Sequence, residues 1–147
     1  MNESVYTGLE SFASVWQRVT GEMEADDGAE RLRRLIQAET DAAAFYTALA
    51  RRSAGRAGTL FAIAADDARH ARLLQLEYFL LTGDTFAPAK GGQDAKGVLS
   101  ALRQGYLGKR RSEREYRALS EKYASIADDE ARHAQSLRAV IADFFGR

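Results

Sequence analysis

The stretch Ile63-Ala64-Ala65-Asp66-Asp67-Ala68-Arg69-His70-Ala71 returns almost unchanged as Ile126-Ala127-Asp128-Asp129-Glu130-Ala131-Arg132-His133-Ala134. The chain contains only two histidines, and each stands three residues after an acid, Asp67 or Glu130. Positions i and i+3 lie on one face of an α-helix, so each carboxylate and imidazole project together. An acid-x-x-His pair from each of two helices supplies half of a dinuclear carboxylate metal site. The other half is one carboxylate from each of two further helices.

The helix before the first motif carries such an acid. From about 29 to 53, Leu32, Leu35, Ile36, Glu39, Ala43, Tyr46, Leu49 and Ala50 share one face, with Glu39 in the middle of the apolar stripe. A carboxylate is expensive to bury there unless it is paired, protonated or metal-bound. A short turn at 53–58 leads to a helix over 59–82, with Leu60, Ile63, Asp67, His70, Leu74, Tyr78 and Leu81 facing inward. Upstream, Val5, Leu9, Phe12, Trp16 and Val19 form a stripe that predicts an extra N-terminal helix over 4–19. Thr20-Gly21 ends it, and Phe12 and Trp16 are expected to pack it onto the bundle or a partner chain. Residues 83–96 hold Pro88, the only proline, and make a longer connection of the kind that crosses the end of a bundle.

After Gly97, a 3–4 spacing from Leu99 through Tyr106, Lys109, Glu113, Tyr116, Ser120, Tyr123, Glu130 and Leu137 to Phe144 runs without a break. Aligning the two histidine motifs gives an offset of 63, whereas Phe45–Leu49 aligns on Glu115–Leu119 with an offset of 70. The second half therefore lacks seven residues, about two helical turns, where the first half has its turn. One reading is a single fused helix over 97–145, whose bundle a second chain completes as a domain-swapped homodimer. The other is a tight hairpin near Glu121-Lys122.

Composition narrows the chemistry. The 147 residues are one domain's worth and carry no net formal charge. That speaks against a nucleic-acid partner. The absence of cysteine excludes disulfides, thiolate metal sites, iron–sulfur clusters and cysteine nucleophiles. No run of apolar residues reaches the length of a membrane span, and Met1–Tyr6 lacks the pattern of a signal peptide. The expectation is a soluble, cytoplasmic, single-domain all-α protein over 1–147.

Glu39 with Tyr46, Asp67-x-x-His70, Lys109 with Tyr116, and Glu130-x-x-His133 together resemble the ferritin-like di-iron carboxylate family, and within it the rubrerythrins. The resemblance covers about residues 29–145. It implies a four-helix bundle holding two irons that reduce hydrogen peroxide or dioxygen. In that arrangement Glu39 and His70 ligate one iron, His133 serves the second, and Asp67 and Glu130 bridge. Donors of this kind suit iron or manganese. Without a cysteine-bound iron domain, the electrons come from a separate donor protein.

This chain departs from the family's pattern at three positions. Lys109 stands where the family has its fourth carboxylate, Ser112 stands where rubrerythrins carry an extra glutamate, and Asp67 is one methylene shorter than the family's residue. Glu113, one turn after Lys109, is a substitute ligand if the helix rotates slightly. Lys109, Tyr46 and Tyr116 are assigned to the layer around the ligands. Asp66, Asp128 and Asp129 fall off the inward stripe and are expected to face solvent. Three states remain open: an intact di-iron site, a single metal, and a metal-free relic in which Lys109 pairs with Asp67 or Glu130. In function, the peroxidase-type oxidoreductase stands against a non-catalytic dimeric bundle with a degenerate metal site.

Overall fold

The computed structural model of the chain describes the backbone of residues 8–91 and 97–146, and the side chains of residues 27–91 and 97–146. Four helices carry the fold: α1 (Gly8–Arg51), α2 (Ala57–Thr82), α3 (Val98–Leu119) and α4 (Ala124–Asp143). They form an all-α bundle of two hairpins, α1 with α2 and α3 with α4.

Ion pairs across the seams fix the arrangement. Arg34 meets Glu115 at 2.5 Å and Tyr46 lies against Gly105, so α1 and α3 run antiparallel. Arg69 reaches Asp129 at 2.8 Å and Arg132 reaches Asp66 at 3.4 Å, so α2 and α4 are antiparallel neighbours as well. The topology is therefore up, down, down, up, with α2 and α3 on one diagonal. This obliges the connection after α2 to travel the length of the bundle along α1, where the sequence suggested a crossing at its end. Gly83, with φ of 77°, stops α2 by returning its N–H to the Phe79 carbonyl at 2.7 Å, a left-handed terminus open to glycine. Farther on, the Gln37 amide clamps both backbone groups of Ala89, each at 2.9 Å.

Two boundaries differ from the sequence reading. α1 runs unbroken from Gly8 through Thr20-Gly21 and Gly28, so among the described residues 8–19 belong to α1 and are not a separate helix; residues 4–7 of that expectation lie outside the described residues. A lone helical glycine costs only about 1 kcal/mol, and Gly28 supplies close packing, since a Cβ there would lie 3.4 Å from Leu81. The packing expected of Phe12 and Trp16 falls outside the described side chains. The fused helix over 97–145 is not formed either. Ser120 breaks it with extended backbone (φ −177°, ψ 152°), its hydroxyl accepts the Lys122 N–H at 3.2 Å, and a single turn over Glu121–Tyr123 leads into α4. α4 then folds back on α3 within the chain, so no second chain is needed to complete the bundle. The unbroken spacing misled because both sides of the turn face one core: Tyr116 and Tyr123 pack with ring centroids 6.0 Å apart.

The core is divided. One apolar cluster joins Leu49, Leu60, Ile63, Leu102 and Leu137 near the α1–α2 turn. The other joins Leu32, Ile36, Leu74, Tyr78, Tyr116 and Ile126 near the opposite end. Each buried Leu or Ile contributes about 1.5–3 kcal/mol. Between the clusters lies a layer of buried polar residues: Glu39, Asp67, His70, Lys109, Glu130 and His133. Among the described residues, no helix is long and apolar enough to cross a membrane.

The α1–α3 seam depends on Gly105, because a Cβ there would lie 2.5 Å from the Tyr46 hydroxyl and about 3.1–3.2 Å from its ring. Gly105→Ala is therefore expected to lower stability by about 1 kcal/mol or more in thermal denaturation, although alanine favours the helix by about that amount.

Candidate metal centre

Each bundle helix sends its inward acid, base or imidazole to the same level. Glu39 from α1, Asp67 and His70 from α2, and Glu130 from α4 each offer a donor atom, and these atoms lie within 4.8 Å of one another. Asp67 and His70 have no solvent exposure, and Glu130 has 1%. His70 Nδ1 stands 3.4 Å from Glu39, 3.6 Å from Glu130 and 3.8 Å from Asp67. His133 Nδ1 stands 3.4 Å from Glu130 and 3.7 Å from Asp67.

The outward nitrogens show what the inward ones are for. His70 Nε2 contacts Asp129 at 2.7 Å and His133 Nε2 contacts Asp66 at 2.8 Å, each acid coming from the opposite helix. A carboxylate accepts, so each Nε2 carries the proton and, in the neutral ring, Nδ1 presents a lone pair to the interior. This carboxylate–imidazole arrangement orients metal-binding histidines and raises their basicity. Burial alone would raise the pKa values of Asp66 and Asp129, but the bonded imidazoles and neighbouring arginines lower both. Helical periodicity places all three outward acids toward solvent, and the structure has only one of them there. Asp66 and Asp129 are half-buried second partners of the histidines, while Asp128 is exposed and pairs with Arg117 at 3.0 Å. The signal for them was the repeat itself, since an acid precedes both Asp67 and Glu130.

Lys109 fills the remaining corner. Its ammonium, 3% exposed, donates to both Asp67 oxygens at 2.6 and 2.8 Å and to Glu130 at 3.1 Å. Burial opposes its charge, yet the surrounding carboxylates hold its pKa above the usual lysine value. Tyr116 donates to Glu39 at 2.7 Å, and the Tyr46 ring lies 5.1 Å from the Lys109 nitrogen. Burial and the nearby carboxylates raise both tyrosine pKa values, so both remain phenols. Glu113 does not join the cluster. Its carboxylate lies 3.4 Å from Arg117 and 4.0 Å from Arg110.

Among the described residues, Glu39 Oε2, His70 Nδ1 and His133 Nδ1 are buried side-chain atoms without a hydrogen-bond partner. Leaving such atoms unpaired costs about 1–3 kcal/mol each. The first two face the same point as the Asp67 and Glu130 carboxylates, and the donor set there, three carboxylates and one imidazole, fits a hard divalent ion. On the His133 side the neighbouring carboxylates are Asp67 and Glu130, both already engaged by the ammonium, whereas the His70 side adds Glu39; a second ion beside His133 therefore has no carboxylate of its own.

A cavity of about 580 Å³ between α1 and α3 reaches this layer at Glu39, Lys109, Tyr116 and Glu130. Gly105 and Gly108 on α3 face Ala38, Ala42 and Phe45 on α1 across it. Such a volume admits small molecules.

No family model, curated protein or solved structure matches the chain. The geometry therefore carries the functional reading.

Two outcomes are expected. Burial pushes the Asp67 carboxyl up to about 7, with Lys109 pulling it back. Burial alone would lower the His70 pKa, but Glu39 and Asp129 raise it overall. Folding therefore binds protons at both groups, and their stabilising contributions are lost as pH rises through the folded-state values. Metal-free protein should lose stability as pH rises from about 4 to about 7, the interval between the free and folded Asp67 values, with the His70 contribution lost above about 6.5, and the rise in Tm produced by Mn(II) should grow over the same interval as the ion displaces those protons. Second, Asp129→Asn should weaken Mn(II) binding by about 10–100-fold in calorimetry with helix content unchanged.

Proposed function

We propose that this chain is a metalloprotein of the ferritin-like, rubrerythrin-like kind, an oxidoreductase that reduces hydrogen peroxide or dioxygen with electrons from a separate donor. The observation that carries the reading is the pair of buried, unpartnered acceptors, His70 Nδ1 and Glu39 Oε2, beside the Asp67 and Glu130 carboxylates. His70 Nδ1 and Glu39 Oε2 lie 3.4 Å apart, and a cation satisfies both: a proton on His70 in the metal-free protein, or a metal ion in its place. Iron or manganese bound there supplies the reversible redox chemistry the reaction needs, which a cysteine-free chain has no thiol to supply.

The chain's own residues prepare the oxidant's site. The cavity between α1 and α3 admits peroxide or dioxygen to the polar layer. Reduction of peroxide to two waters consumes two electrons and two protons, and the Lys109 ammonium and the Tyr116 hydroxyl stand at the cavity floor as hydrogen-bond donors that orient the oxidant. Apolar clusters above and below keep bulk water from the carboxylates, which strengthens their hold on a cation. The proposed homodimer rests on the outer face of α2, where Leu73, Leu76 and Leu80 are 42%, 53% and 68% exposed at helical spacing.

The Lys109 ion pairs favour a second reading, a non-catalytic bundle that binds metal without turnover. Anaerobic loading with Fe(II), followed by peroxide with ascorbate as reductant, separates the two. Catalytic reduction requires retained iron and peroxide consumption beyond one turnover, with His70→Ala retaining iron at least about tenfold more weakly. Retained iron with no turnover selects the second reading, and protein that retains no iron contradicts both.

A further inference from the structure

We infer that the centre takes a single divalent ion, held by Glu39, Asp67, His70 and Glu130, and that the Lys109 ammonium permanently occupies the place of a second. The inference rests on the metal-binding reading above and departs from the two-ion site that the resemblance implies.

Three independent observations converge on it. The first is geometric. An ammonium has three protons to donate, and Lys109 Nζ finds three carboxylate oxygens, two on Asp67 and one on Glu130, at 2.6, 2.8 and 3.1 Å. These are the two acids that would bridge a metal pair. While it keeps its proton the nitrogen has no lone pair for a metal, and a second ion beside His133 would find no carboxylate that the ammonium does not already engage, whereas an ion beside His70 has Glu39.

The second observation lies in the paired tyrosines. Glu39 stands seven residues before Tyr46, and Lys109 stands seven before Tyr116, so the repeat places the two charged residues at equivalent sites on α1 and α3. Each is met by the tyrosine of the other half, but in opposite ways. Tyr116 turns its hydroxyl to donate to the Glu39 carboxylate at 2.7 Å. Tyr46 instead presents its ring to the Lys109 cation, 5.1 Å from the centroid, the contact suited to a positive charge. The surroundings of α3's site are built for a cation, and those of α1's site for an anion.

The third is charge. The three buried carboxylates outweigh one ammonium by two, and one divalent ion cancels that excess with both imidazoles neutral. A second divalent ion would leave two uncompensated positive charges in a buried layer, which is strongly unfavourable. The unpartnered acceptors are distributed in the same way. Glu39 Oε2 and His70 Nδ1 stand together on the α1–α2 side, whereas on the other side His133 Nδ1 stands, among the described residues, without a second such atom.

The test is titration of metal-free full-length protein with Co(II), followed by calorimetry and visible absorption. Wild type is expected to bind one Co(II) per chain. Lys109→Glu, which removes the tethered cation and restores a fourth carboxylate, is expected to bind two, and it is refolded with Co(II) present if the metal-free form does not fold. Lys109→Gln removes the charge without adding a ligand; it is expected to bind one ion about tenfold more tightly or better, since the carboxylates then lack their internal counter-charge. Two ions in wild type would overturn the inference and leave the metal-binding reading standing. One ion in Lys109→Glu, or weaker binding in Lys109→Gln, would also overturn it. No binding at saturating Co(II) in wild type would overturn the metal-binding reading, and the inference with it.

Discussion

Three carboxylates buried in the middle of a helical bundle demand positive charge, and the Lys109 ammonium is the positive charge the chain itself provides. Removing a carboxylate from water costs several kcal/mol unless a partner compensates. Asp67 and Glu130 have that partner; Glu39 has the Tyr116 hydroxyl on one oxygen and only the His70 Nδ1, 3.4 Å away, beside the other. Much of the structure follows from holding these groups at one level. Two hairpins bring the four helices together, apolar clusters close the layer from both ends, and Gly105 lets α1 and α3 approach closely enough for Tyr46 to cover the lysine.

Around this layer runs a second ring that fixes the imidazoles. Asp66 and Asp129 each cross the α2–α4 seam to hold the other helix's histidine, and Arg69 and Arg132 bind the same acids from outside. The individual surface ion pairs contribute little to stability, about 0–1 kcal/mol each. Their consequence is orientational. They hold Nε2 protonated and outward, which leaves the inward nitrogen of a neutral ring as a ligand. The twofold character of the sequence repeat is thus preserved in the outer ring and broken in the inner one, where Glu39 faces Lys109.

The inner ring was legible from sequence because a charged residue on an apolar helical stripe is conspicuous. Glu39, Asp67, His70, Lys109, Glu130 and His133 all announced themselves in that way, and so did the bundle. Asp66 and Asp129 did not, because periodicity assigns faces to an isolated helix and is silent on where a neighbour covers its flank. Ser120 was hidden for a related reason: Tyr116 and Tyr123 point into one core, so the helical spacing continues across the turn that separates them. Thr20-Gly21 has the look of a helix end, yet one glycine costs a long helix too little to end it. Glu113 shares its turn of helix with Lys109, but its exposed arginine neighbours engage it at the surface.

The most direct test of the account is anomalous diffraction from crystals of Mn(II)-soaked wild-type protein, recorded at the manganese edge. The expected result is one anomalous peak per chain, within ligand distance of Glu39, Asp67, His70 and Glu130, with the Lys109 side chain still between Asp67 and Glu130. Two peaks in the layer, with Lys109 swung out, would contradict the account, and so would a layer without any peak.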